Sequence, residues 1–185
     1  MHNKLYVRDI TALIHGEIPC WPGEHHKYMH QYVKSFDNGD NVNISRISCS
    51  MHLGTHIDAP YHKTNNGKKL SDLPVDQFMG DAYVVDLTGV VNCIALEDVK
   101  DLDLKGSAIC LFKTRNSELW KSSEFNRDYI FLDKKAAMLL VDKGVKAVGI
   151  DYLSVDKFEA AVPYTHNILF ESNILVYEGL DLSDV

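Results

Sequence analysis

Three of the chain's nine histidines fall in one run of eleven residues, His52-Leu-Gly-Thr-His-Ile-Asp-Ala-Pro-Tyr-His62, with Asp58 between the last two. Imidazole and carboxylate are the usual donors to a catalytic zinc or manganese ion. Metal-assisted hydrolysis is therefore the first chemistry to consider. His62 stands beyond the His52–His56–Asp58 set and is open to two roles, a further ligand or a proton carrier near neutral pH. A bare HxxxH pair recurs by chance. Here it is joined by Gly, Thr, Asp, Pro and a third His, which makes chance a poor explanation.

The spacing constrains the backbone. On a helix, His52 and His56 would share a face, but Asp58 would lie about 200° round from His56. Gly54, the β-branched Thr55 and Pro60 also disfavour a helix. In an extended strand positions 52, 56 and 58 share one face. Yet His52 and His56 would then sit about 13 Å apart, too far for one ion with bonds of about 2.1 Å. The chain must bend between them. Gly54 is placed to allow the bend and Pro60 to fix the exit, so the segment is expected as a loop at a strand end.

The elements that must position this segment read as strands mixed with a few helices. Residues 6–10 suggest a short strand, and Pro19, Pro22 and Gly23 mark a loop around Trp21. Residues 26–36 read as a weak strand. Asp37-Asn-Gly-Asp40 is a turn signal, so a hairpin into residues 42–49 is expected. The runs 81–87 and 108–113 have the short apolar character of buried strands. Residues 95–102 suggest a short helix. Residues 133–143 give the clearest one, with Asp133 to cap its start and Gly144 to end it. Residues 145–150 and 174–177 read as further strands. The alternation places the chain in a mixed α/β class as one domain over residues 1–185.

Composition narrows the partners. With 19 basic against 26 acidic residues the net charge is −7, which argues against nucleic acid or an anionic membrane. Cys20, Cys49, Cys93 and Cys110 form no CxxC pair and read as reduced thiols. The first residues lack an apolar signal region, and no run approaches the length of a membrane span. A cytoplasmic protein acting on a small molecule is expected. His15, His25, His26 and His30 match nothing in the motif, and the cluster from 25 to 30 reads as a solvated or edge-strand feature. Lys113-Thr-Arg-Asn-Ser117 holds two cations beside a strand end, either a surface turn or a site for a substrate carboxylate.

The histidine segment resembles the HxGTHxDxPxH signature of the cyclase/arylformamidase family, which includes bacterial kynurenine formamidase and isatin hydrolase. Every fixed position of the signature is present. Asp9-Ile-Thr11, Trp21-Pro-Gly23, Lys113 to Ser117, Gly149-Ile-Asp151 with Ser154-Val-Asp156, and the late His166 and Glu178 extend the resemblance over nearly the whole chain. It implies a swivelling β/β/α fold with a mixed, partly barrel-like sheet and flanking helices. It also implies that His52, His56 and Asp58 bind a first metal. In the formamidase branch a second would sit between Asp58, His166 and Glu178, with Asp58 bridging. His62 would be the acid/base residue and Trp21 would line the substrate pocket. The implied cofactor is one or two zinc ions, or manganese. Glu171 competes with Glu178, but Glu178 follows the apolar run Ile174-Leu-Val-Tyr177, as in the family. Two departures stand out. Tyr164-Thr165 occupies a place where many members have another histidine. The chain also stops at Val185, where members usually continue for a strand or two. A sheet edge left bare would need covering by another subunit, so a homodimer or higher homo-oligomer is expected.

The implied activity is hydrolysis of a small amide C–N bond, foremost an aromatic formamide such as N-formylkynurenine, by metal-activated water with His62 moving a proton. Two alternatives stand beside it. One is a single-metal manganese hydrolase of a cyclic amide, like isatin hydrolase. The other is a non-catalytic metal- or ligand-binding protein.

Overall fold

A computed structural model describes residues 6–23 and 28–185. Along the chain these form β1 (Met29–Lys34), β2 (Ile44–Ser48), β3 (His56–Asp58), β4 (Ala82–Asp86), β5 (Cys93–Ile94), α1 (Leu96–Val99), β6 (Ile109–Lys113), β7 (Phe131–Leu132), α2 (Lys134–Asp142), β8 (Ala147–Ile150), α3 (Tyr164–Glu171) and β9 (Leu175–Glu178). The architecture is a mixed α/β one. Its main sheet has the order β3-β9-β8-β6-β4, with β4, β6, β8 and β9 parallel and β3 antiparallel to β9.

The central strands are apolar throughout because both faces are covered. Cys110 and Phe112 of β6, Val148 and Ile150 of β8, and Val176 of β9 pack with Ala136, Ala137 and Leu140 of α2 and Leu169 of α3. The alternate residues Ile109, Leu111, Ala147 and Leu175 face a second core with Ala59, Leu180 and Leu182. Each Val, Leu, Ile or Phe side chain so buried contributes about 1.5–3 kcal/mol relative to exposure. β4 is the outer parallel strand. Of its residues only Val85 is buried, so a run that reads as a buried strand lies at an edge.

Local signals explain the best-defined helix. The Asp133 side chain accepts from Lys135 N at 2.8 Å, and Gly144, at φ 73°, turns the chain out of α2. The turn at residues 37–40 likewise closes β1 onto β2, with Gly39 at φ 84°. Every residue of the two strands is exposed, including Met29, Tyr32, Val33, Ile44 and Ile47.

Other expectations change. Residues 6–10 form no strand. Tyr6 and Val7 are exposed and only Ile10 packs, partly buried, against the second core, so the stretch has no continuous apolar face, and among the described residues its pairing is a bridge between Thr11 and Leu180. His25 and His26 lie outside the described residues, and the strand expected from 26 runs from Met29. α3 covers Tyr164–Glu171, where the sequence marks no helix. Its buried face includes the polar Thr165 and His166, which interrupt the apolar pattern. β5 and β7 are two-residue strands, too short for any periodicity. Among the described residues no helix is long and apolar enough to cross a membrane.

Candidate metal centre

The site lies where β8 and β9 end, the edge at which open α/β sheets place their ligand crevices. β3 pairs antiparallel with β9 so that His56 lies opposite Glu178 and Asp58 opposite Val176. Opposed residues share a face, as do positions two apart. His56, Asp58 and Glu178 therefore converge. Before β3 the chain turns at Gly54, φ 62°, and carries His52 back over the strand. Its Nδ1 lies 3.1 Å from His56 Nε2 and 3.2 Å from Asp58 Oδ1. The bend expected at Gly54 is present. After β3, Pro60 opens a short 3-10 turn ending at His62, whose Nε2 lies 3.6 Å from Asp58 Oδ2. The first turn of α3 brings His166 Nε2 to 3.6 Å from Asp58 Oδ2 and 3.2 Å from Glu178 Oε1.

Asp58 thus faces two groups with two oxygens. One triad is His52, His56 and Asp58; the other is Asp58, His62 and His166. Within each, the donor atoms lie within 4.8 Å of one another. Glu178 reaches both, 3.2 Å from His166 and 3.5 Å from His56. All six residues singled out in the sequence for metal or proton chemistry are gathered here. His62 belongs to the second triad by distance, so geometry leaves both of its roles open.

The donor chemistry fits a divalent cation. His56 Nδ1 points to the Gly54 carbonyl at 3.0 Å and His166 Nδ1 to Asp156 Oδ2 at 2.5 Å. Each proton is best placed on Nδ1, which turns the Nε2 lone pair into the cluster. Among the described residues Asp58 Oδ2 and His166 Nε2 are buried without a hydrogen-bond partner. Acceptors crowded together this way need protons or a cation between them. The electrostatics agree. Burial raises the carboxyls of Asp58 and Glu178, yet the neighbouring imidazoles outweigh it, holding Asp58 far below the usual range and Glu178 at about 2. Burial lowers the basicity of His56 and His166, but the carboxylates beside them win and raise both. His62 is pushed down to about 4 by burial, against the pull of Asp58, with Lys63, His52 and His166 adding to the push.

A second layer holds these groups. Asp156 accepts from Thr165 N at 2.8 Å and from the His166 ring, so it anchors both the start of α3 and the imidazole. Val155 N donates to Glu178 Oε1 at 2.8 Å. Thr55 Oγ1 donates to the Gly179 carbonyl and accepts from Ala12 N. Asp156 appears in the sequence only within the Ser154-Val-Asp156 resemblance. It stands well before the helix start at Tyr164, so no capping pattern marks its anchoring role.

Beside the cluster is a cavity of about 210 Å³ lined by Trp21, His52, His62, Lys63, Leu153, Ser154, His166 and Glu178. Trp21 stands edge-on to Phe125 and Phe158, with centroids 5.2 and 5.3 Å away. Lys113 and Arg115, read as candidates for carboxylate recognition, do not line it. Lys113 donates to the Ser183 and Val185 carbonyls, and Arg115 to that of Asp128. Thr114 and Ser117 from the same segment clamp the buried Asp151 with backbone and side-chain donors. Lys63 and Leu153 line the cavity without having been singled out in the sequence.

Comparison with known proteins places this geometry. The Cyclase family model matches residues 8–157. A kynurenine formamidase of Bacillus mycoides is 31% identical over 177 residues, covering 96% of this chain and 83% of that protein. The kynurenine formamidase of Bacillus anthracis is 30% identical over the same coverage. The solved structure of a potential metal-dependent hydrolase with cyclase activity superposes with a TM-score of 0.81 at 32% identity, over 96% of this chain and 83% of that one. Isatin hydrolase A from Ralstonia solanacearum shares the fold, with a TM-score of 0.80 at 16% identity over 96% of this chain and 80% of that one. The chain belongs to the Cyclase family and is a hydrolase of that family, with a histidine–carboxylate cluster suited to a divalent metal.

Proposed function

We propose that this enzyme cleaves the C–N bond of a small aromatic formamide, with N-formylkynurenine as the first substrate to test. The observation that carries the reading is the pairing of unpartnered buried Asp58 Oδ2 and His166 Nε2 with a small cavity that has one aromatic wall. The kynurenine formamidases among its relatives support the substrate class.

In this reading His52, His56 and Asp58 hold one ion, and Asp58, His166 and Glu178 hold a second. Zinc and manganese both suit such donors. A bound divalent cation supplies a Lewis acid for the carbonyl oxygen and a way to make water nucleophilic at neutral pH. Trp21 and Leu153 hold the aromatic ring and keep water from it. Asp156 fixes the His166 tautomer. His62 lines the cavity and, with its basicity lowered to about 4, is a neutral imidazole at neutral pH. Its Nε2 can take up a proton there and return it to the departing amine nitrogen.

His62→Gln is expected to lower kcat for N-formylkynurenine by roughly 10²–10⁴ while the metal content stays at the wild-type level. Assay of formate release alongside metal analysis reads both. Wild-type turnover in the variant would defeat the proton-carrier role. Loss of metal together with turnover would place His62 among the ligands.

A further inference from the structure

The cavity wall carries one charged group that the proposed chemistry does not use. Lys63 follows His62 directly, is exposed and lines the cavity. Among the described residues no carboxylate lies within ion-pair distance of its ammonium. Lys100 and Lys121, by contrast, are paired with Glu97 and Glu118. The acids nearest the cavity, Asp58 and Glu178, are engaged with histidines. Lys63 is thus an uncompensated cation in a chain of net charge −7.

The rest of the wall fixes what such a cation could meet. Trp21 and Leu153 are apolar surfaces suited to a ring, and His52, His62, His166 and Glu178 form the reacting side. The cavity, about 210 Å³, is small beside the roughly 300–1,000 Å³ of ordinary ligand pockets. It has room for a ring and its formamide. Lys63 is exposed at the cavity wall, so a further part of a substrate can run out past its ammonium. Lys113 and Arg115 cannot serve, being turned to backbone carbonyls elsewhere.

We propose that Lys63 is a specificity-determining residue whose ammonium binds a carboxylate on the non-reacting end of an aromatic formamide. The inference rests on the reading of the chain as a formamide hydrolase. It adds that the preferred substrates carry an anionic tail.

The test compares N-formylkynurenine with N-formylkynuramine, its decarboxylated analogue, in the metal-replete enzyme. The wild type should prefer the carboxylate-bearing substrate in kcat/KM. That preference should fall about tenfold in Lys63→Met, the usual weight of a charge-assisted hydrogen bond, and return in Lys63→Arg. Added salt should narrow it in the wild type and not in Lys63→Met. A wild type without the preference, or a Lys63→Met variant that retains it, overturns the proposal. If neither compound is cleaved, the formamide reading itself has failed. Lys63 is then judged by binding of kynurenine against kynuramine, followed by tryptophan fluorescence. A preference for kynurenine that disappears in Lys63→Met supports the carboxylate site, and equal binding in the wild type overturns it.

Discussion

Asp58→Asn is expected to yield a folded protein that retains little metal and hydrolyses aromatic formamides at least about 10³-fold more slowly, the loss of several kcal/mol of metal-derived stabilisation. The substitution keeps the size of the side chain, so it opens no cavity. Its effect is electrostatic and directional. Asp58 presents one oxygen to His52, at 3.2 Å from Nδ1, and the other to His62 and His166, each at 3.6 Å from Nε2. Asparagine keeps one acceptor and turns the other into an amide donor. Whichever way it lies, one pair of histidines faces N–H groups and loses its carboxylate. The side chain is only 4% exposed, so water cannot replace the lost charge. Circular dichroism would check the fold, and competition with a chromogenic chelator would measure the metal. Wild-type metal affinity and turnover in Asp58→Asn would remove Asp58 from the centre.

Gly179→Ala should destabilise the protein by about 3–5 kcal/mol, summing a left-handed backbone carrying a side chain and an overpacked contact. Gly179 has φ 73°, and a Cβ on it would stand 2.0 Å from the Gly54 carbonyl oxygen. That neighbour is backbone and cannot rotate away. It also belongs to the turn that sets His52 against His56. Relief of the clash must part β9 from that turn, stretching the Thr55–Gly179 hydrogen bond and separating Glu178 from His56. Gly144→Ala is the control. Its φ is also 73°, but no atom of the described residues lies within 4 Å of its added Cβ, so it carries the backbone strain alone, about 1–2 kcal/mol. In thermal unfolding at this chain length each kcal/mol lowers the midpoint by about 2–4 °C. The two variants should therefore separate clearly, and equal midpoints would mean that the close approach of the two glycines is unimportant.

Much of this site could be read from the residues because it is built locally. His52, Gly54, His56, Asp58, Pro60 and His62 lie within one run, and metal-bond lengths alone demanded the bend found at Gly54. His166 and Glu178 were different. They lie twelve positions apart on α3 and β9, and only pairing of β9 with both β3 and β8 brings them to Asp58. Family resemblance supplied those two, while periodicity was silent. Asp156 was hidden for a similar reason, since its anchoring role exists only once the start of α3, eight residues later, is seen to lie at its carboxylate. The cations at 113 and 115 misled because a strand end looks like a binding edge. In the fold that edge is turned to the chain's own carbonyls, and the cation at the cavity is Lys63, which no pattern marks. In the fold, β6, β8 and α2 were legible from continuous apolar runs and a capped helix. β5 and β7 are too short to leave a signature, and strand order has no local signal at all.

The most direct measurement is a metal titration of enzyme stripped with a chelator, reading N-formylkynurenine hydrolysis after each addition of zinc or manganese. Stripped enzyme should be inactive, and activity should rise with added metal to a plateau at one or two bound ions per chain. Undiminished hydrolysis by enzyme shown to be free of metal would contradict a metal-dependent centre at Asp58.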